Sequence, residues 1–160
     1  MIRFEEPTPH HVKLVARSMR ARDTDEILAA WGEPQAAILK AITDSPYART
    51  AFWDLEPLAI FGMKNLTVLG RSAQVWCFGT QAIDRHRIAF MRASRSQLSQ
   101  MFERAQLLTN YVDATDYEAL RWLAWLGARS ALPPVTLGGR LFAQFFLEAP
   151  RAGADTCQQA

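Results

Sequence analysis

Cysteine is scarce in this chain of 160 residues. There are two, Cys77 inside an apolar run and Cys157 in a polar C-terminal stretch, so no disulfide framework or cysteine metal quartet can be assembled. Lysine occurs three times (Lys13, Lys40 and Lys64), and the other basic side chains are arginine, which forks onto carboxylates and phosphates better than lysine does. Charge of one sign is also lacking: the net formal charge of +2 gives no electrostatic reason to expect nucleic acid or a membrane surface as partner. No apolar run has the length needed to span a bilayer, and Met1-Ile-Arg-Phe-Glu-Glu is charged at once, unlike a cleavable leader. A cytoplasmic protein with no membrane association is expected. Of the three histidines, His10 and His11 diverge by about 100° on a helix and His86 stands alone, so none forms an i, i+4 metal pair. All three are expected at the surface.

Hydrophobic residues make up 49% of the sequence, enough for a core in one domain. Ile2 to Glu5 has the pattern of a strand. Thr8-Pro9 opens a helix with Val12, Val15 and Met19 inward. Asp23 with Glu26 reads as a capping box for a second helix from Ile27 to Trp31, and Pro34 begins a third. Strands are expected at Thr50 to Leu55 and Leu58 to Lys64 around a turn at Glu56-Pro57, then at Ala73 to Gly79. A long helix from Asp84 or Arg85 to Arg104 should turn Ile88, Met91 and Leu98 inward. Leu107 to Val112 follows as a strand, Asp116 caps a helix ending at Gly127, and strands at Val135 to Leu137 and Arg140 to Glu148 flank Gly138-Gly139. Hairpins favour antiparallel pairing, while strand–helix–strand around the long helix favours one parallel crossover. The expected fold is α/β (α+β), a mixed sheet of about seven strands with helices on both faces. Residues 1–148 form the domain, and 149–160, without periodicity, a flexible polar tail.

That element order resembles the GNAT superfamily of acyl-CoA-dependent N-acyltransferases. Their late helix carries Asn-x-x-Ala-x-x-x-Tyr-x-x-x-Gly-Phe, matched here by Asp116-x-x-Ala119-x-x-x-Leu123-x-x-x-Gly127-Ala128. The tyrosine that protonates the departing thiolate in many members is Leu123, which has no proton to give. Their pyrophosphate loop, Arg/Gln-x-x-Gly-x-Gly/Ala, aligns with Arg85-His-Arg-Ile88-Ala, so isoleucine stands at the key glycine. Leu58-Ala-Ile-Phe-Gly62, Val75-Trp-Cys-Phe-Gly-Thr80, Arg92-Ala-Ser-Arg95, Asn110-Tyr-Val-Asp113 and Ala119 to Gly127 also resemble a GNAT-like family of tailed-phage proteins, typified by podophage internal virion protein A.

The narrower resemblance implies a phage or prophage protein with a degenerate acyl-CoA site, acting in virion assembly or inside the particle. Its partners would be other virion or assembly proteins, and its location the host cytoplasm or the virion. The broader one implies an N-acyltransferase using acetyl-CoA or another acyl-CoA, transferring to an amine with an unidentified carboxylate or water as base. Cys77, Phe78 and Thr80 would then face the pantetheine arm, Arg85, Arg87 and Ile88 the phosphates, and Asn110 the cleft. No catalytic residue or metal ligand is assigned. Nucleic acid is not supported, since no exposed aromatics interleave with the arginines. For a vestigial site, Ile88 should turn inward and plug the cleft near Phe78 or Tyr111, because burying it is worth about 1.5–3 kcal/mol.

Overall fold

The computed structural model describes residues 1–69 and 71–151, apart from the side chains of Ala29 and Ala30. Cys157 and most of the expected tail therefore lie outside the described residues. The elements run β1 (Ile2–Glu5), α1 (Pro9–Ser18), α2 (Ala21–Ala30), α3 (Pro34–Thr43), β2 (Tyr47–Trp53), β3 (Glu56–Asn65), β4 (Ser72–Gly79), α4 (Ala82–Arg85), α5 (Arg87–Phe102), β5 (Leu107–Asp113), α6 (Tyr117–Trp125), β6 (Arg129–Ser130), β7 (Val135–Leu137) and β8 (Arg140–Glu148).

All eight strands join one sheet in the order β1-β2-β3-β4-β5-β8-β6, with β7 also on β8. The strand beyond the expected seven is β6, two residues that a periodicity of two cannot reveal. Every pairing is antiparallel except β4 with β5, joined by the crossover through α4 and α5. Helices cover both faces. On one, Val12, Val15 and Met19 of α1, Ile27 of α2 and Ile38 of α3 pack around Ile60, with Trp76 and Phe78 against them. On the other, Phe90 and Met101 of α5 and Leu123 of α6 close over Phe61, Leu108, Phe145 and Leu147. Gly62 allows close approach here: a Cβ would lie 2.5 Å from the Tyr47 carbonyl oxygen and 2.6 Å from the Trp76 ring.

Local chemistry sets the boundaries. The Thr8 side chain accepts from the His11 amide at the start of α1, and Glu33 accepts from Gln35 and Ala36 at the start of α3. The Asp116 cap of α6 is as expected, accepting from Ala119 N at 3.1 Å. The Asp23 cap is not. Helix α2 begins six residues before Ile27, with Arg20 in the cap position and Asp23 inside the first turn, bonded to Arg20 Nε at 2.8 Å. The first hairpin turns at Asp54-Leu55 rather than Glu56-Pro57. Asp54 takes φ 54°, which aspartate tolerates, and Glu56-Pro57 opens β3. The single long helix is broken at His86, whose ring stacks on Trp53 with centroids 4.4 Å apart. Ile88 thus stands in the exposed first turn of α5, and Phe90, Gln97 and Met101 are the residues that helix buries. His11 is also less exposed than expected, lying edge-on to Phe52 and 3.2 Å from Thr50 Oγ1, and burial pushes its imidazole pKa down.

Candidate functional site

Strands β4 and β5 pair only from Ser72↔Leu107 to Gln74↔Thr109, then part. The alternation of backbone groups determines what the fork exposes. Thr80 N donates to Leu58 O and Leu66 N to Ser72 O, so the even-numbered residues of β4 turn their amides and carbonyls toward β3. Val75, Cys77 and Gly79 therefore turn theirs toward β5. Leu107 N donates to Arg71 O, which gives the odd-numbered residues of β5 the matching direction. Asn110 sits at the apex of the fork. Its Nδ2 donates to the Val75 carbonyl at 2.7 Å, and its Oδ1 accepts from the Tyr111 amide at 2.7 Å and from Gln74 Nε2 at 3.2 Å. One side-chain amide thus satisfies the first orphan carbonyl of β4 and the first orphan amide of β5. Beyond it, the Cys77 backbone edge has no strand partner.

The fork opens onto a cavity of about 210 Å³ between the sheet and the α5–α6 pair, walled by Phe90, Leu98, Met101, Trp122, Phe145 and Leu147 among others. Above it α5 and α6 meet along a seam. Arg87 donates to Glu118 Oε1 at 3.1 Å, the Phe90 and Trp122 rings lie 5.8 Å apart, and Arg95 covers the Trp125 ring at 3.8 Å. The Trp122 Nε1 is buried without a hydrogen-bond partner, the only such side-chain atom among the described residues.

The predicted residues separate into groups. Cys77 lines the cavity beside Val75 and Asn110. Its side chain is exposed, yet the surrounding protein desolvates the thiolate and pushes the thiol up to about 12. Phe78 points to the opposite face, among the α1 and α3 side chains and 5.4 Å from Trp76. Thr80 is fully buried, donating to the Pro57 carbonyl at 2.7 Å and accepting from the Ala82 amide. Ile88 does not plug the cleft: it is 68% exposed. It occupies the second position of α5, where the backbone is helical and no positive φ is needed, so isoleucine is accommodated there without strain. The two loop arginines are held by carboxylates, Arg85 by Glu56 and Arg87 by Glu118 and Asp84. No side chain caps the start of α5 and its first turn carries no acid, which leaves its first amides without a side-chain acceptor.

At the mouth of the fork stands Asp23, expected as a helix cap, beside Arg20. Arg20 and Asp23 are close enough for their charges to act on the Cys77 thiol. Burial raises the Asp23 carboxyl pKa, against the opposing pull of Arg20. Burial likewise raises Glu26, helped by Asp23 and Asp113. Asp113 goes the other way: hydrogen bonds from the Thr115 hydroxyl and amide hold its carboxyl below the usual range. Asp23 stands in the first turn of α2, which starts at Ala21 rather than at Ile27. Among the described residues no group of three or more His, Cys, Asp and Glu is placed to hold a metal, and no helix is long and apolar enough to cross a membrane.

No family model and no curated protein matches the chain. Solved structures do match its fold. Ard1 from Thermoplasma volcanium superposes with a TM-score of 0.70 at 15% identity, over 94% of this chain and 99% of that one. The aminoglycoside acetyltransferase AAC(6')-Ib, solved in complex with coenzyme A, gives 0.68 at 12% identity, over 92% and 95%. A Bacillus subtilis acetyltransferase, also in complex with CoA, gives 0.59 at 11%, over 93% and 98%. The chain has the mixed α/β fold of the GNAT acetyltransferases.

Proposed function

We propose that the fork between β4 and β5 binds a coenzyme A thioester and that the protein transfers its acyl group to an amine. The unpaired Cys77 edge carries this reading, because it offers a strand-like rail beside an open cavity that α5 also lines. The exposed Ile88 and the CoA complexes among the structures of like fold support it. A CoA thioester fits the residues present: the Cys77 amide and carbonyl can pair with the amides of the pantetheine arm, and the amides of Arg87, Ile88 and Ala89 with phosphate oxygens. The thioester supplies an activated carbonyl. The chain would supply placement and proton transfer. Asp23, at the mouth with its pKa raised by burial, is the carboxylate suited to take the proton from an attacking amine, directly or through one water. The amine nitrogen bonds to the carbonyl carbon, the carbon–sulfur bond breaks, and the thiolate takes its proton from solvent, since Leu123 provides none.

The test is calorimetric titration with CoA and acetyl-CoA, followed by a thiol-release assay over a panel of primary amines. Saturable binding and release above the hydrolytic background are expected. Absence of heat and thermal shift at millimolar ligand would set the reading aside.

A second reading keeps the fold as a scaffold in a phage particle. The ordered likeness to tailed-phage virion proteins supports it, together with the carboxylates that hold Arg85 and Arg87 and the loss of the tyrosine at Leu123. Copurification with particles or assembly intermediates is its expected outcome, and consistent absence from both would refute it.

A further inference from the structure

We infer that the cavity beneath α5 is an acyl-chain pocket, so that the thioester used carries a straight apolar chain of about six to eight carbons rather than acetyl. The inference rests on the CoA reading above and specifies its substrate class. Three polar residues of the cavity wall are engaged with the protein. Ser94 donates to the Phe90 carbonyl, Gln97 Oε1 accepts from the Tyr47 hydroxyl, and Asn110 is used up at the apex of the fork. The rest is mostly hydrocarbon from Phe61, Phe90, Leu98, Met101, Phe145 and Leu147, with Cys77 and Tyr111 on the two strands of the fork and the Trp122 indole in the wall, its Nε1 buried without a partner.

That pattern matches a ligand with one carbonyl and a long apolar tail. The pantetheine arm, with two amides and a hydroxyl, matches it poorly and belongs on the Cys77 edge. Apolar space of this kind does not hold ordered water, which needs two to four polar partners. At ~30 Å³ for each water-sized or methylene-sized unit, 210 Å³ holds a chain of about seven such units. The Trp122 indole would donate to the thioester carbonyl. It cannot transfer a proton, so it is a positioning residue, one place before the leucine that replaces the tyrosine.

The experiment is calorimetric titration of the full chain with CoA, acetyl-CoA, hexanoyl-CoA and octanoyl-CoA. Each buried methylene should tighten binding about fourfold, so hexanoyl-CoA should exceed acetyl-CoA on the order of a hundredfold. Trp122→Phe keeps the ring and removes the donor, and should lower the ratio of acyl-CoA to CoA affinity about fivefold. Leu98→Phe narrows the cavity and should cut the hexanoyl advantage on the order of tenfold. Equal affinity for all four ligands would overturn the acyl pocket and leave the CoA reading standing. Failure of all four to bind would overturn both. An unchanged ratio in Trp122→Phe, with the chain-length series intact, would overturn the part given to the indole.

Discussion

Replacing Asn110 should damage this protein more than an ordinary strand substitution, and in a way that depends on the substitute. Asn110→Ala leaves the Val75 carbonyl and the Tyr111 amide without partners where the two strands part. Unmade hydrogen bonds at a partly buried site cost about 1–3 kcal/mol. For a chain of this size that lowers Tm by about 3–8 °C. Asn110→Asp is nearly isosteric but should be worse at neutral pH, because a carboxylate cannot donate to the carbonyl that Nδ2 meets at 2.7 Å. The sign with pH follows. Facing a carbonyl, that carboxyl titrates above its unfolded value, so its deficit is present above the raised pKa. As pH falls through it the protonated form can donate, and the gap to wild type narrows. Thermal unfolding of wild type and both variants at pH 7.5 and pH 4.5 measures all three quantities. An Asn110→Ala protein melting within 1 °C of wild type would refute the apex role. So would an Asn110→Asp gap that widens on acidification.

Four other outcomes are expected. Cys77, reachable yet held near 12 against an ordinary value of 9.0, should react with iodoacetamide at pH 8 on the order of 10³-fold more slowly than in urea, with rates followed by mass spectrometry. Gly62→Ala should lower Tm by several degrees, since a Cβ 2.6 Å from the Trp76 ring displaces an indole that donates to Ser45 Oγ, a change visible in near-UV circular dichroism. Asp23→Asn should lower the amine-dependent rate at least 10²-fold and remove the acidic limb of its pH profile, with thioester affinity nearly unchanged. Glu118→Gln frees Arg87 from an exposed ion pair and removes a negative charge beside the start of α5, so CoA should bind a few-fold tighter, with a steeper salt dependence in titrations at 50 and 300 mM salt.

Much of the architecture was legible in periodicity and turn chemistry. The Asp116 cap and Gly127, at φ 95°, bracket α6 as their residue types require. Gly138 and Gly139, both at positive φ, make the turn into β8. The errors fall where tertiary contacts override local pattern. Nothing local marks the break at His86, which the Trp53 ring and Glu56 hold from across the sheet. Ile88 lies in the exposed first turn that the break creates, and Phe90 takes the inner face. The site was legible in part. Asn110 could be assigned to a strand end and Cys77 to a strand interior, but the parity that makes one the apex and the other the open edge is set by the pairing of β4 with both neighbours. Phe78 went to the wrong face for the same reason: one residue along a strand reverses the side. Asp-x-x-Glu before an apolar run is the local signature of a cap, and Asp23 carries that signature without the role. Its place at the mouth depends on where α1 and α2 cross the sheet, which no spacing within the helix encodes.

The central claim is that the Cys77 edge of β4 receives the ligand, and amide chemical shifts on titration with CoA test it most directly. The Cys77 and Gly79 amides should shift and become slow to exchange with deuterium, with smaller changes at Arg87, Ile88 and Ala89, while β1 and β2 stay still. Saturable binding that leaves Cys77 and Gly79 unperturbed, or perturbations gathered on any other face of the sheet, would contradict the account.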